Sequence, residues 1–207
     1  MNKIPPFILA SRSKTRLALL KNIGYTPDLI KSADIDETPL RDEIPSNYVK
    51  RVAAHKVEVI KDEMPQAIII GADTVVCVGR RIIQKATTDQ EQAAVLQLLS
   101  GRRHRVLTAV AFYNGLHAPL VRVKLFQAHV AFKHLSKAEI ECYVLSKEWW
   151  GKSGYAMEGL AATFIRQING APSTISGLPL CPVHTFLWNA GLRSSLCAST
   201  HQAISAL

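Results

Sequence analysis

No apolar run in these 207 residues approaches the roughly 18 needed to cross a bilayer; the best, Ala67–Ala72, is stopped by Asp73. The N-terminus lacks the build of a secretory leader. Pro5 and Pro6 interrupt it, and Arg12, Lys14 and Arg16 follow the short apolar stretch Phe7–Ala10. That stretch reads as a buried strand, and the expectation is a cytoplasmic chain with no membrane partner. The four cysteines, Cys77, Cys142, Cys181 and Cys197, form no CxxC pair, which excludes a disulfide framework and a structural zinc site and leaves reduced packing residues. No GxxxxGK[ST], GxGxxG, HExxH or GxSxG occurs, and the seven histidines lack ligand spacing. Walker-type NTPases, Rossmann dehydrogenases, zincins and α/β-hydrolases are thereby disfavoured. Aromatics are scarce, and the densest basic patch, Arg102-Arg103-His104-Arg105, has none interleaved. Single-strand binders pair basic grooves with stacking aromatics, so this patch reads as a solvated loop and nucleic acid is not the expected partner.

What the chain does have is 48% hydrophobic and 20% charged residues, which excludes intrinsic disorder and suits one domain or two small lobes. A net charge of +9 favours anionic partners without choosing among them. Ser13 is placed to cap a helix carrying Leu17, Leu20 and Ile23 and ended by Gly24. Ser32–Pro45 is a polar, acidic loop. Val49, Val52, Ala53, Val57 and Ile60 recur at helical steps. Ala67–Ile70 is a strand, and Thr74–Val78 with Arg81–Gln84 flank Gly79-Arg80 as a hairpin. Asp89 with Gln92, and Ser136 with Glu139, resemble capping boxes. Arg105–Tyr113, Leu120–Phe132 and Thr163–Ile168 read as strands, and Pro182–Leu192 as a last helix. Residues 194–207 form a small, polar tail expected to fray. Helices and strands alternate without a repeat or a linker, which gives one mixed α/β domain over residues 1–207.

Four places carry chemistry. Ser11, Ser13, Lys14 and Arg16 sit where a strand enters a helix and free N–H groups favour an anion; a plain serine cap explains them as well. Asp73 lies where an apolar strand ends, a usual ligand position in open sheets, and equally the place for a turn cap. Lys56 falls inside the apolar stripe of its helix, so its stem points at the protein body. Its ammonium either snorkels out or enters a polar cleft, which Lys85 could also reach. Asp34-Ile35-Asp36-Glu37 offers oxygen ligands of the kind Mg²⁺ takes, although acidic surface loops are commoner. Two carboxylate sites with four or five cations meet the needs of phosphoanhydride hydrolysis. The cations neutralise phosphate charge while one carboxylate activates water.

Taken in order, Leu9-Ala10-Ser11-x-Ser13-x-x-Arg16, Asp36-Glu37-Thr38, Ala53-x-x-Lys56, Gly71-Ala72-Asp73-Thr74-Val75-Val76, Lys85, Asp89, Leu98-Leu99-Ser100-Gly101-x-x-His104-x-Val106-x-Thr108, Lys152-x-Gly154-Tyr155, Glu158-Gly159 and Gly177-Leu178-Pro179 resemble the Maf family of nucleoside triphosphate pyrophosphatases. The resemblance is collinear over nearly the whole chain. It implies an elongated mixed β-sheet in two lobes with helices packed around it and a central cleft, usually as a homodimer. It also implies cleavage of the α–β phosphoanhydride of a nucleoside triphosphate to the monophosphate and pyrophosphate with a divalent metal, Mg²⁺ or Mn²⁺. Asp73 would accept the proton of water and join Glu37 in holding the metal. Ser11, Ser13, Arg16, Lys56 and Lys85 would bind phosphates, and Asp89 is assigned to capping its helix rather than to supporting Lys85. Base selection in the family is associated with the positions of Thr15, Thr74 and Glu158. Thr74 keeps the choice of the thymidine- and uridine-selective members; Thr15 stands for an arginine and Glu158 for a glutamine. An ionised carboxylate only accepts hydrogen bonds, so Glu158 against a base would favour guanine-type donors. House-cleaning of non-standard nucleotides and a link to division control are the roles implied. The contrasting expectation is a non-catalytic regulator that binds nucleotides or nucleic acid through its positive charge.

Overall fold

The computed structural model describes residues 5–197. A seven-stranded mixed sheet runs β2-β1-β3-β5-β6-β7, with β4 on β3. Its first strand, β1 (Phe7–Ala10), lies parallel to β2 (Leu29–Ile30) and to β3 (Ile68–Val78). All other pairs are antiparallel: β3 with β4 (Arg81–Ile83) and with β5 (Arg103–Asn114), then β5 with β6 (Ala118–Phe132) and β6 with β7 (Ile165–Asn169). The α-helices among the described residues are α1 (Lys14–Asn22), α2 (Pro45–Glu63), α3 (Asp89–Leu99), α4 (Lys137–Ser146) and α6 (Leu180–Asn189), with the single turn α5 (Pro172–Ile175) before the last. No helix among the described residues is long and apolar enough to cross a membrane.

Strand periodicity sorts the cores. Ile69, Val75, Leu107, Ala109 and Ala111 face α2, whose buried stripe is Val49, Val52, Ala53, Val57 and Ile60. The opposite face carries two separate clusters. Ala72 and Val110 pack with Leu20 of α1 and with Val183 and Leu187 of α6. Val76 and Val106 pack with Leu96 and Leu99 of α3 and with Tyr143 of α4. Between those clusters lies the one opposed pair that is polar, Thr74 against Thr108. A hydrophobic face interrupted by a polar pair opens a cleft there, because apolar burial on either side stops at the threonines.

Several expectations change. Asp73 does not end a strand. β3 runs unbroken through it, since Gly71 and Ala72 pair with Ala111 and Val110 across the sheet. Gly71 is needed for packing rather than for a turn: a Cβ there would meet Val57 Cγ2 at 2.6 Å. α3 is capped by Thr88, whose side chain accepts from the Glu91 amide, one residue earlier than Asp89 with Gln92 would place it; Asp89 instead pairs with Lys147 at the end of α4. The capping box of Ser136 and Glu139 forms as read. α6 starts at Leu180 and ends at Asn189, and β7 starts at Ile165 after a 3-10 turn, Leu160–Phe164. Of the tail, Ser194 is buried and donates from Oγ to the Ile23 carbonyl at 2.8 Å; residues 198–207 lie outside the described residues. Only Cys77 is buried, while Cys142, Cys181 and Cys197 are exposed, so packing accounts for one cysteine of the four.

The basic patch is not a solvated loop either: it opens β5, and His104 is buried against Phe132 with Nε2 2.8 Å from the Tyr155 hydroxyl. Burial lowers the His104 pKa to about 4. The unfolded chain therefore binds a proton near pH 6.5 that the native state refuses until about pH 4. Stability is expected to fall as pH drops through that window, by on the order of 3 kcal/mol, and to level off below it. Urea unfolding of wild type and His104→Gln across pH 4–7 checks this; an unchanged slope in the variant refutes it.

Candidate active site

β1 pairs with β3 only as far as Ala10 with Gly71, because the chain then turns at Ser11 into α1; β4 joins the same edge of β3 only from Val76. Residues 72–75 are left with an unpaired edge, and a cavity of about 610 Å³ opens beside it. The cavity thus lies at the carboxyl end of the parallel strand β1, where open sheets commonly take ligands, and not at the end of β3. Since Asp73 and Thr74 point to opposite faces, the cavity reaches both.

On the α2 face, Lys56 Nζ donates to Asp73 Oδ1 at 2.9 Å and contacts Glu37 Oε1 at 2.8 Å. Lys56 is 8% and Asp73 7% exposed, so the ammonium enters the cleft instead of snorkelling out. Lys85, more exposed, stands 4.0 Å from Glu37 Oε2. Burial pushes the Glu37 carboxyl up, but Lys56, Lys85 and Arg16 together outweigh it and hold the group below the usual carboxylate range. The loop carrying Glu37 is tied down from α2: Tyr48 Oη donates to the Glu37 carbonyl at 2.9 Å and Arg51 Nη2 to the Thr38 carbonyl at 3.0 Å. Asp36 does not face the cavity and instead accepts from the Thr38 amide at 2.8 Å, a turn that orients its neighbour.

The other face is organised by Arg16. Its Nη1 donates to Ser11 Oγ at 3.1 Å, its Nη2 to Thr74 Oγ1 at 3.2 Å and its Nε to the Gly177 carbonyl at 2.8 Å. Thr108 Oγ1 donates to the Thr174 carbonyl at 2.7 Å, so the 2.9 Å contact between the two threonines has Thr74 as donor. The hydrogen bonds therefore run in one direction from the guanidinium through both hydroxyls and fix its plane. Burial pushes the Arg16 pKa down, with Asp73 and Glu37 opposing. Ser13 is the α1 cap, its Oγ accepting from the Arg16 amide, while Ser11 Oγ accepts from the Ser13 amide; both hydroxyls line the cavity and keep a hydrogen to donate.

The structure thus gathers Ser11, Ser13, Thr15, Arg16, Glu37, Lys56, Asp73, Thr74 and Lys85 at one cavity. Glu158 is outside it. Its Oε1 accepts from Ser176 Oγ at 2.6 Å, and Ser176, not Glu158, lines the wall. Sequence reasoning passed over Lys152 and Trp150. Lys152 Nζ donates to Thr15 Oγ1 at 2.9 Å across 137 positions of chain. The signal was present, since Lys152 opens one of the quoted motifs. No group of three or more His, Cys, Asp or Glu side chains among the described residues could hold a metal by itself. Two carboxylates on a polar cavity nevertheless fit Mg²⁺, which commonly takes one or two from protein and the rest from water and phosphate.

The family model described as "Maf-like protein" matches residues 6–190. A relative from Zymomonas mobilis named dTTP/UTP pyrophosphatase is 49% identical over 193 residues, covering 93% of this chain and 95% of that one. One from Ehrlichia chaffeensis, named nucleoside triphosphate pyrophosphatase, is 42% identical over 90% of this chain and 97% of its own. Among solved structures the likeness is loose: the Staphylococcus aureus Ham1 protein aligns with TM-score 0.42 and 18% identity over 61% of this chain and 70% of that one.

Proposed function

This chain belongs to the Maf family, and on that premise we propose that it is a nucleoside triphosphate pyrophosphatase whose water-activating base is Asp73. One observation carries the reading: a single buried ammonium, Lys56, joins Asp73 and Glu37 in a cavity whose facing wall presents Arg16. A protein that only bound polyanions would gain nothing from two carboxylates beside its cations, because they repel phosphate.

In the proposed reaction a water oxygen attacks the α-phosphorus, Asp73 accepts its proton, and the bridging bond to the β-phosphate breaks to release pyrophosphate and the monophosphate. Arg16, with its plane fixed by Thr74 and Gly177, and the more exposed Lys85 stabilise charge on the phosphate oxygens. Ser11 and Ser13 donate to the same oxygens, and Lys56 keeps Asp73 aimed into the cavity. Glu37 and Asp73 would hold Mg²⁺ or Mn²⁺, which when bound shields the triphosphate's negative charge.

A panel of ordinary and modified nucleoside triphosphates, with Mg²⁺, Mn²⁺ or chelator, tests the reading through its products. Pyrophosphate and monophosphate are expected; orthophosphate with diphosphate, or no turnover, refutes it. The relative's name supports dTTP and UTP as substrates; Glu158, held behind Ser176 outside the cavity, lends no support to the guanine preference, and the panel ranks the two.

A further inference from the structure

Among the described large apolar side chains that are exposed, Trp150 alone lines this cavity. Its neighbour Trp149 is fully buried and donates from Nε1 to the Val144 carbonyl at 3.0 Å, so it anchors the segment and Trp150 is not needed for that task. Gly151 follows with φ +71° and nothing within 4 Å of its Cβ position, reversing the chain in open space. Both sides of the reversal are fixed. Ser153 Oγ donates to the Ile83 carbonyl at 2.6 Å and accepts from the Val76 amide at 3.3 Å. Lys152 reaches across to Thr15 at the start of α1. An indole left 65% exposed is therefore held on a pinned loop at the margin of a cavity whose polar wall is cations, carboxylates and hydroxyls and whose remaining apolar lining, Val76, Val106 and Tyr155 among it, is largely buried.

The charged walls suit a triphosphate, and the other aromatic ring in the lining, Tyr155, is buried against Phe132 with its hydroxyl on His104, which leaves Trp150 as the exposed flat surface. We propose that Trp150 is the stacking platform for the nucleobase, binding substrate through the ring face common to all bases while leaving the phosphate chemistry to the opposite wall. This rests on the pyrophosphatase reading and adds to it the residue that distinguishes a nucleotide from a bare polyphosphate. Burying the indole under a base removes apolar surface from water on both partners, which a lysine or serine at that position would not do.

Steady-state kinetics of wild type, Trp150→Ala and Trp150→Phe on the best nucleotide, with tripolyphosphate as a base-free competitive inhibitor, test it. Trp150→Ala should raise KM about ten- to hundred-fold with kcat nearly unchanged. Trp150→Phe should recover most of the loss, and the inhibition constant of tripolyphosphate should be the same in all three. An unchanged KM, no recovery by Phe, or an equal weakening of tripolyphosphate overturns the proposal. Indole fluorescence, taken as wild type minus Trp150→Phe, should be quenched by nucleotide and not by tripolyphosphate; no quenching by nucleotide likewise refutes stacking. That measurement does not need turnover, so a wild type that binds with quenching yet releases no pyrophosphate overturns the hydrolytic reading alone.

Discussion

Replacing Asp73 by Asn is expected to lower kcat for pyrophosphate release by about 10³-fold, with KM little changed. The amide is nearly isosteric but cannot take a proton from water, and it removes one of the two charges able to hold a cation. The loss should be interpretable because the fold has a reserve. Lys56 keeps its 2.8 Å contact with Glu37, so no buried ammonium is left without a partner. Thermal midpoints of wild type and variant should therefore lie close together, while product formation by chromatography separates them. Retention of more than about a tenth of the wild-type kcat would remove Asp73 from the role of general base.

Replacing Lys56 by Met has the second-largest expected effect, and unlike the first it should depend on pH. Methionine fills the same slot in the α2 stripe but cannot donate, so Asp73 and Glu37 face each other without the ammonium that now joins them. Two carboxylates close together cannot both ionise cheaply; the first proton to bind is held more tightly than before. The acid limb of the kcat/KM profile should move upward by about one pH unit or more, and kcat/KM at neutral pH should fall about 10²-fold. Raising the pH should recover part of the loss, a response that a purely structural defect would not give. Asp73→Asn and Lys56→Met should also be non-additive when combined, since each abolishes the same contact.

Much of this site was legible before any coordinates. The serine cap of α1, the helical spacing that puts Lys56 among Val52, Ala53 and Val57, and the acidic loop with Glu37 are local patterns, and each forms as its spacing requires. The misreadings have an equally definite origin. Gly71-Ala72-Asp73 weakens an apolar run, so the strand looked finished there, although a carboxylate can sit inside a strand when an ammonium from a facing helix reaches it. His104 was hidden in a cationic run because residue type does not reveal which of four neighbours turns inward. Lys152 and Trp150 escaped because their positions depend on a loop fastened to β3, β4 and α1, all distant in sequence.

By itself the sequence determined most of the elements, the caps Ser13 and Ser136, the mixed α/β order and the stock of cations and carboxylates, because those follow from periodicities of two and 3.6 and from side-chain chemistry within a few positions. Only the tertiary structure decided that β1 stops pairing at Gly71 while β4 starts at Val76, and so where β3 is left open. It also decided that Asp73 and Thr74 serve opposite faces, that Arg16 locks onto Thr74, and that Glu158 stays behind Ser176. Strand register and long-range closure set those outcomes. They are settled by burying apolar surface across the whole sheet, which no short stretch of chain encodes.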